Sequence, residues 1–212
     1  MTAHDRPEPH PSRLRTFVVA VGAAGVGAVC AALATYALFS SSTTATSSVG
    51  SGTVTIALGA SGTANRLNVA ASNIAPGDTM QRAFNLANSG SVALSGAPAL
   101  TTSASPSSLL DTDATYGLQM VIDKCSVPWT ESGSSPAFTY TCGGTTSSVL
   151  ASRAVIGSSI SLSNVSDLVT AGTTDYLRLT LTFPSAAGNT FQGLSSTITY
   201  SFSATQRSGT NQ

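Results

Sequence analysis

The chain has 212 residues, room for one compact domain behind a leader but not for two full domains. Charged residues make up 8% and aromatics 6% against 42% hydrophobic, so Ala, Ser, Thr and Gly dominate, unlike the Lys/Glu-rich surfaces of cytosolic helical proteins. Formal net charge is +0, which excludes an electrostatic footprint for nucleic acid or for an acidic membrane surface.

Residues 1–16 (MTAHDRPEPHPSRLRT) carry both histidines and a basic flank, Arg13 and Arg15, ahead of the charge-free run from Phe17 to Phe39. A basic flank, an apolar stretch and then small residues form the pattern of a secretory signal, predicted here as a signal peptide over 1–37 with a cytoplasmic N-terminal extension and a signal helix ahead of the domain. The run is also long enough to span a bilayer, so an uncleaved anchor is the competing expectation, with the membrane touched only through the leader. Small-residue sites at Ala32-Leu33-Ala34 and Thr35-Tyr36-Ala37 place the expected cut between Ala37 and Leu38. Cleavage there leaves a chain without histidine. Its charges are Arg66, Arg82, Lys124, Arg153, Arg178 and Arg207 against Asp78, Asp111, Asp113, Asp123, Glu131, Asp167 and Asp175.

Residues 38–52 form an uncharged arm. In extended form Phe39, Ser41, Thr43, Ala45, Ser47 and Val49 share one face, because side chains alternate along a strand. Such an arm can add itself to an exposed sheet edge, with Leu38, Phe39, Ala45 and Val49 as its expected anchors. The competing reading is a Ser/Thr-rich linker, which the composition favours.

Period-two alternation then predicts the strands of one domain over 53–206, with a tail at 207–212. "TVTIAL" puts Val54, Ile56 and Leu58 on one face, and "RLNVA" does the same for Leu67 and Val69. A Pro76-Gly77 turn precedes a strand that carries Phe84 and Leu86 inward and stops at Asn88-Ser89-Gly90, after which "SVALSG" is expected to return antiparallel. Residues 101–115 are expected as a loop with one helical turn at Leu109 and Leu110. Tyr116, Leu118, Met120 and Ile122 alternate as a strand, and Phe138 and Tyr140 mark a shorter one. Leu177, Leu179, Leu181 and Phe183, and then Ile198, Tyr200, Phe202 and Ala204, give two half-buried strands linked by "SAAGNTFQG". Seven or eight short strands with few helices predict an all-β, jelly-roll-like two-sheet sandwich.

Of three cysteines, Cys30 falls in the leader, leaving Cys125 and Cys142 as an even pair that reads as a disulfide in an exported chain, worth about 3 kcal/mol. No HExxH, CxxC pair or Gly-rich phosphate loop occurs, and without histidine no Ser-His-Asp, Cys-His or His-rich zinc centre can be built. No catalytic residue and no cofactor is therefore expected. Asp111 and Asp113 are weak calcium candidates, set against a solvated turn because the usual ligand count is missing. The sequon Asn164-Val165-Ser166 reads as a turn. Trp129, inside the cystine loop, is the candidate ligand contact of a monomeric binding module, against the alternative that it packs on the adjacent disulfide.

Taken in order, the leader ending "ATYALFS", "NIAPGDTMQRAFNLANSGSVAL" and "DYLRLTLTFPSAAGNTFQGLSSTITYSFSATQ" resemble the camelysin and TasA family of secreted bacterial proteins, over nearly the whole chain from about residue 30 onward. The resemblance implies a jelly-roll domain, a dedicated signal peptidase as partner during export, and a secreted or cell-surface location. It also implies two functions. One is a structural subunit of matrix fibres, self-associating or joining other matrix proteins through the segment after the cut. The other is a metallo-endopeptidase, for which this chain offers no zinc motif. The short, charge-poor body and the Cys125 and Cys142 pair depart from typical fibre subunits.

Overall fold

A computed structural model describes residues 53–68, 70 and 73–209, so the signal helix, the cut between Ala37 and Leu38, and the arm anchors Leu38, Phe39, Ala45 and Val49 lie outside the described residues. Every strand among the described residues belongs to the unit Gly52–Gln212. Five strands form one sheet in the order β1 (Ile56–Leu58), β2 (Thr79–Asn88), β9 (Thr174–Thr182), β4 (Gln119–Cys125), β7 (Thr146–Ala154). A second sheet has the order β10 (Ile198–Ser203), β3 (Ala99–Ala104), β8 (Gly157–Ser161), and β5 (Thr130–Ser134) pairs with β6 (Ala137–Thr141) as a hairpin. All pairings are antiparallel. Two helical turns, α1 (Leu109–Thr112) and α2 (Ser166–Val169), and a 3-10 turn at Asn189–Phe191 complete the described elements. The architecture is the all-β sandwich that the alternation predicts.

Register builds the core in rows. Met80 pairs with Leu181 and Leu181 with Met120; Phe84 pairs with Leu177 and Leu177 with Lys124; Leu86 pairs with Asp175. From the second sheet Leu100, Ile160 and Phe202 face these rows, and the Phe84 and Phe202 rings lie 5.4 Å apart. Each fully buried Leu or Phe here contributes about 1.5–3 kcal/mol. The Pro76-Gly77 turn forms as expected, with Gly77 at φ +98, a value that L side chains rarely adopt, and its amide bonded to the Phe183 carbonyl at 2.8 Å.

Several expectations are corrected. Val54 lies outside β1 and Leu58 is 40% exposed, because the strand is an edge of only three residues. Leu67 is not in a strand: Asn65 makes one bridge to Phe84, the Arg66 amide bonds to Ala83, and the chain then turns away. Val69 lies outside the described residues. "SVALSG" does not return beside β2 but crosses to the other sheet, where Leu94 bridges Gln206 and its amide bonds to Val169. Residues 101–104 belong to β3 rather than to a loop, while the helical turn at Leu109 and Leu110 forms. Tyr116 is 46% exposed in a turn, and its strand starts only at Gln119. The alternation also misses β5, β7 and β8, so the described residues hold ten strands where seven or eight are predicted.

Candidate functional site

β10 closes one side of the three-stranded sheet, and among the described residues no strand pairs with its other side. Its Ile198, Tyr200 and Phe202 face the core but stay only half-buried, the pattern of an edge that lacks a neighbour. Beside them opens a cleft of about 760 Å³, walled by Met80 and Arg82 of β2, Leu179 and Leu181 of β9, Phe183, and the segment 188–198 that leads into β10. Phe191 holds that segment down, its ring 5.5 Å from Phe183 in an edge-to-face contact. The loop "SAAGNTFQG" reads from composition as a mere connector. Its one aromatic residue is the only sequence signal that it packs.

Two polar groups interrupt the apolar wall. Arg82 is buried, and its Nη1 donates to the Gln81 carbonyl at 2.6 Å while burial pulls the guanidinium below its ordinary value. Burial likewise pushes the Tyr200 phenol up, against the pull of Arg82. The cleft is thus a trough of mixed character alongside unpaired backbone. That arrangement suits an added strand whose alternate side chains enter the trough.

The opposite face of the large sheet carries a third layer. A disulfide joins Cys125, at the end of β4, to Cys142, just past β6, with Cα atoms 5.7 Å apart. Phe138 and Tyr140 of the hairpin pack on Ala83, with Trp129 beside them. Arg66 makes a forked pair with Glu131 at 2.9 and 2.7 Å, and the Tyr140 hydroxyl donates to the same carboxylate at 2.9 Å. The hydrogen bonds from Arg66, first, hold the Glu131 carboxyl below its ordinary value. Trp129 spends its indole N–H on the Tyr176 carbonyl at 3.0 Å, and the Arg178 guanidinium covers its ring at 4.4 Å. The indole is a strut between hairpin and sheet, packed on Ala83, Phe138 and Tyr140.

The two aspartates proposed for calcium are occupied otherwise. Asp111, 4% exposed, accepts from Ser107 Oγ, the Ser108 amide and Ser196 Oγ, closing a capping box on α1 and tying it to the chain before β10. Burial pushes its carboxyl up, but those hydrogen bonds outweigh it and hold the group below its ordinary value. Asp113 accepts from the Tyr116 and Thr115 amides at 2.8 and 2.9 Å, which depress its carboxyl as well. Asn164, at φ 54, donates its side-chain amide to the Ser148 carbonyl.

Among the described residues no three His, Cys, Asp or Glu side chains gather as metal ligands. The two described cysteines are bonded to each other, and the described carboxylates cap backbone or pair with Arg and Lys. This donor set does not fit a peptidase metal. No helix among the described residues is long and apolar enough to cross a membrane.

A comparison with curated proteins finds no significant match. Residues 14–118 match the family described as camelysin metallo-endopeptidase. That stretch runs from the leader through β2, β3 and α1, whereas the cystine, Trp129 and the two tail strands lie beyond it. The segments "ATYALFS" and "NIAPGDTMQRAFNLANSGSVAL" lie inside the match, which bears out the resemblance to the camelysin family over those residues.

Proposed function

We propose that this is a secreted, non-catalytic structural protein of the cell surface or extracellular matrix, which assembles by adding the arm of one copy to the β10 edge of the next. The observation that carries the reading is the juxtaposition of the β10 edge, unpartnered among the described residues, with the cleft of mixed character beside it. The occupant is residues 38–50 of a second copy, uncharged and with Phe39, Ala45 and Val49 at alternate positions on one face. Main-chain bonds to β10 supply affinity, and those side chains set the register. A contact between arm and edge is head-to-tail, so unless it closes into a ring it propagates as a filament.

Deleting Leu38 to Val49 should leave the domain folded, by circular dichroism and unchanged urea midpoint, and abolish filaments in electron micrographs. Filaments from the truncated protein would refute the reading. Casein hydrolysis that a chelator stops, in pure protein, would replace it with the peptidase activity named in the family's description.

A further inference from the structure

The inner face of the large sheet carries a buried lysine, Lys124, at the end of its apolar rows. Lys124 of β4 stands opposite Leu177 of β9, so Asp175, two residues earlier on β9 and on the same face, is its diagonal neighbour. Both are buried, Lys124 at 8% and Asp175 at 0% exposure. The Lys124 Nζ lies 2.5 Å from Asp175 Oδ1 and 2.5 Å from Oδ2 of Asp167 in α2. Asp175 Oδ2 accepts the Leu168 amide at 3.2 Å, whereas Oδ1 accepts no directed hydrogen bond despite the nearness of the amine. An amine therefore sits against a carboxyl group whose one oxygen is held by a backbone N–H and whose other oxygen is free to leave. A second carboxyl, Asp167, touches the amine from the solvent side, its side chain 56% exposed.

From this geometry we infer that Lys124 and Asp175 condense to an intramolecular isopeptide bond, with Asp167 as the proton carrier. The Nζ–Cγ bond forms and the Cγ–Oδ1 bond breaks. The ammonium gives up two protons, and Oδ1 leaves with both as water. Nothing is oxidised or reduced and no co-reactant is consumed.

Each residue has a part in the step. Burial disfavours the Lys124 ammonium, but the two carboxylates outweigh that and hold it above its ordinary value. The amine must hand over a proton before it attacks. Burial pushes the Asp175 carboxyl up, which makes it the acceptor, since an apolar site favours a neutral pair over an ionic one. The Leu168 N–H points at the oxygen on which negative charge grows during attack, and Asp167 passes the remaining proton from nitrogen to Oδ1. Amide formation in water is uphill between separate molecules. Two groups fixed in contact gain an effective concentration of about 10⁵–10⁸ M, enough to reverse that balance. The product would clamp β4 to β9 on the inner face, one residue from where Cys125 clamps it to the hairpin.

Intact-mass measurement of the folded, oxidised protein tests this. The wild type should weigh less than its sequence by one water in addition to the two hydrogens of the cystine, and its digest should contain Lys124 and Asp175 in one branched peptide. Lys124→Arg, which keeps a cation between the carboxylates but cannot condense this way, should show the full mass apart from the cystine. Asp167→Asn, which leaves both reacting groups in place, should slow water loss by about 10²-fold or more. A wild-type protein of full mass after prolonged incubation in the folded state overturns the inference and leaves a buried ion pair. A branch at Asp167 instead of Asp175 overturns the assignment of the electrophile, and unchanged kinetics in Asp167→Asn overturn the role of that residue.

Discussion

Asp111 shows how one short polar side chain can join distant parts of the fold. It closes the capping box of α1 and accepts from Ser196, 85 residues away. Asp111→Ala should cost about 1.5–3 kcal/mol, the range for hydrogen bonds to a charged group, as measured by the urea midpoint at neutral pH. Its folded-state carboxyl is depressed, so its contribution is fully present above the unfolded carboxylate value and is lost as pH falls through the lower folded value. The stability gap between wild type and Asp111→Ala should accordingly shrink only under acid conditions. A gap that widened on acidification would mean that the hydrogen bonds do not favour the ionised form. In the sequence the Ser-x-x-Asp spacing at Ser108 and Asp111 is a cap signal, but Asp113 two residues on gives the same carboxylate the look of a calcium ligand. Nothing local announces Ser196 as a partner.

At the scale of elements, the β5 and β6 hairpin is a satellite layer held by one cystine, one forked ion pair and the indole of Trp129. Replacing both Cys125 and Cys142 with Ala should lower stability by about 3 kcal/mol, since the bridge closes a loop of 17 residues. The loss should be visible as a change in Trp129 fluorescence at lower denaturant than the loss of the far-ultraviolet strand signal. Coincident transitions would show that the layer does not open separately. The missed strands have specific causes. β7 buries the consecutive residues Val149 and Leu150 because a register irregularity opposite Ile122 breaks the alternation. β3 hides behind Thr102, an inward hydroxyl that donates to the Val155 carbonyl at 2.6 Å and accepts the Gly157 amide at 2.8 Å. β5 contains no large apolar residue, its inward position being Glu131 paired with Arg66.

For the whole molecule, assembly through residues 38–50 would form no charge–charge pair at the junction, because the arm has no charge to set against the cleft's Arg82 and the chain without its leader is nearly neutral. The rate of filament growth should therefore change by no more than about twofold between low and high salt, as salt screens only charge–charge terms. Growth that slowed strongly with salt would point to a charged interface elsewhere on the surface. The same reasoning separates this protein from partners recruited by electrostatic steering, which need a field that this composition does not provide.

Alternation established an all-β domain and the inward faces of β2, β9 and β10, and the cysteine count outside the leader left the two that pair, because each of these is written in local spacing or residue count. Tertiary structure alone decided which strands are neighbours, that "SVALSG" crosses between sheets, that Trp129 is a strut, and that Lys124 meets Asp175 and Asp167 inside the sandwich. The reason is physical: period-two patterning records which way a side chain points, whereas pairing order and the meeting of residues distant in sequence arise only when two faces close on one another and exclude water.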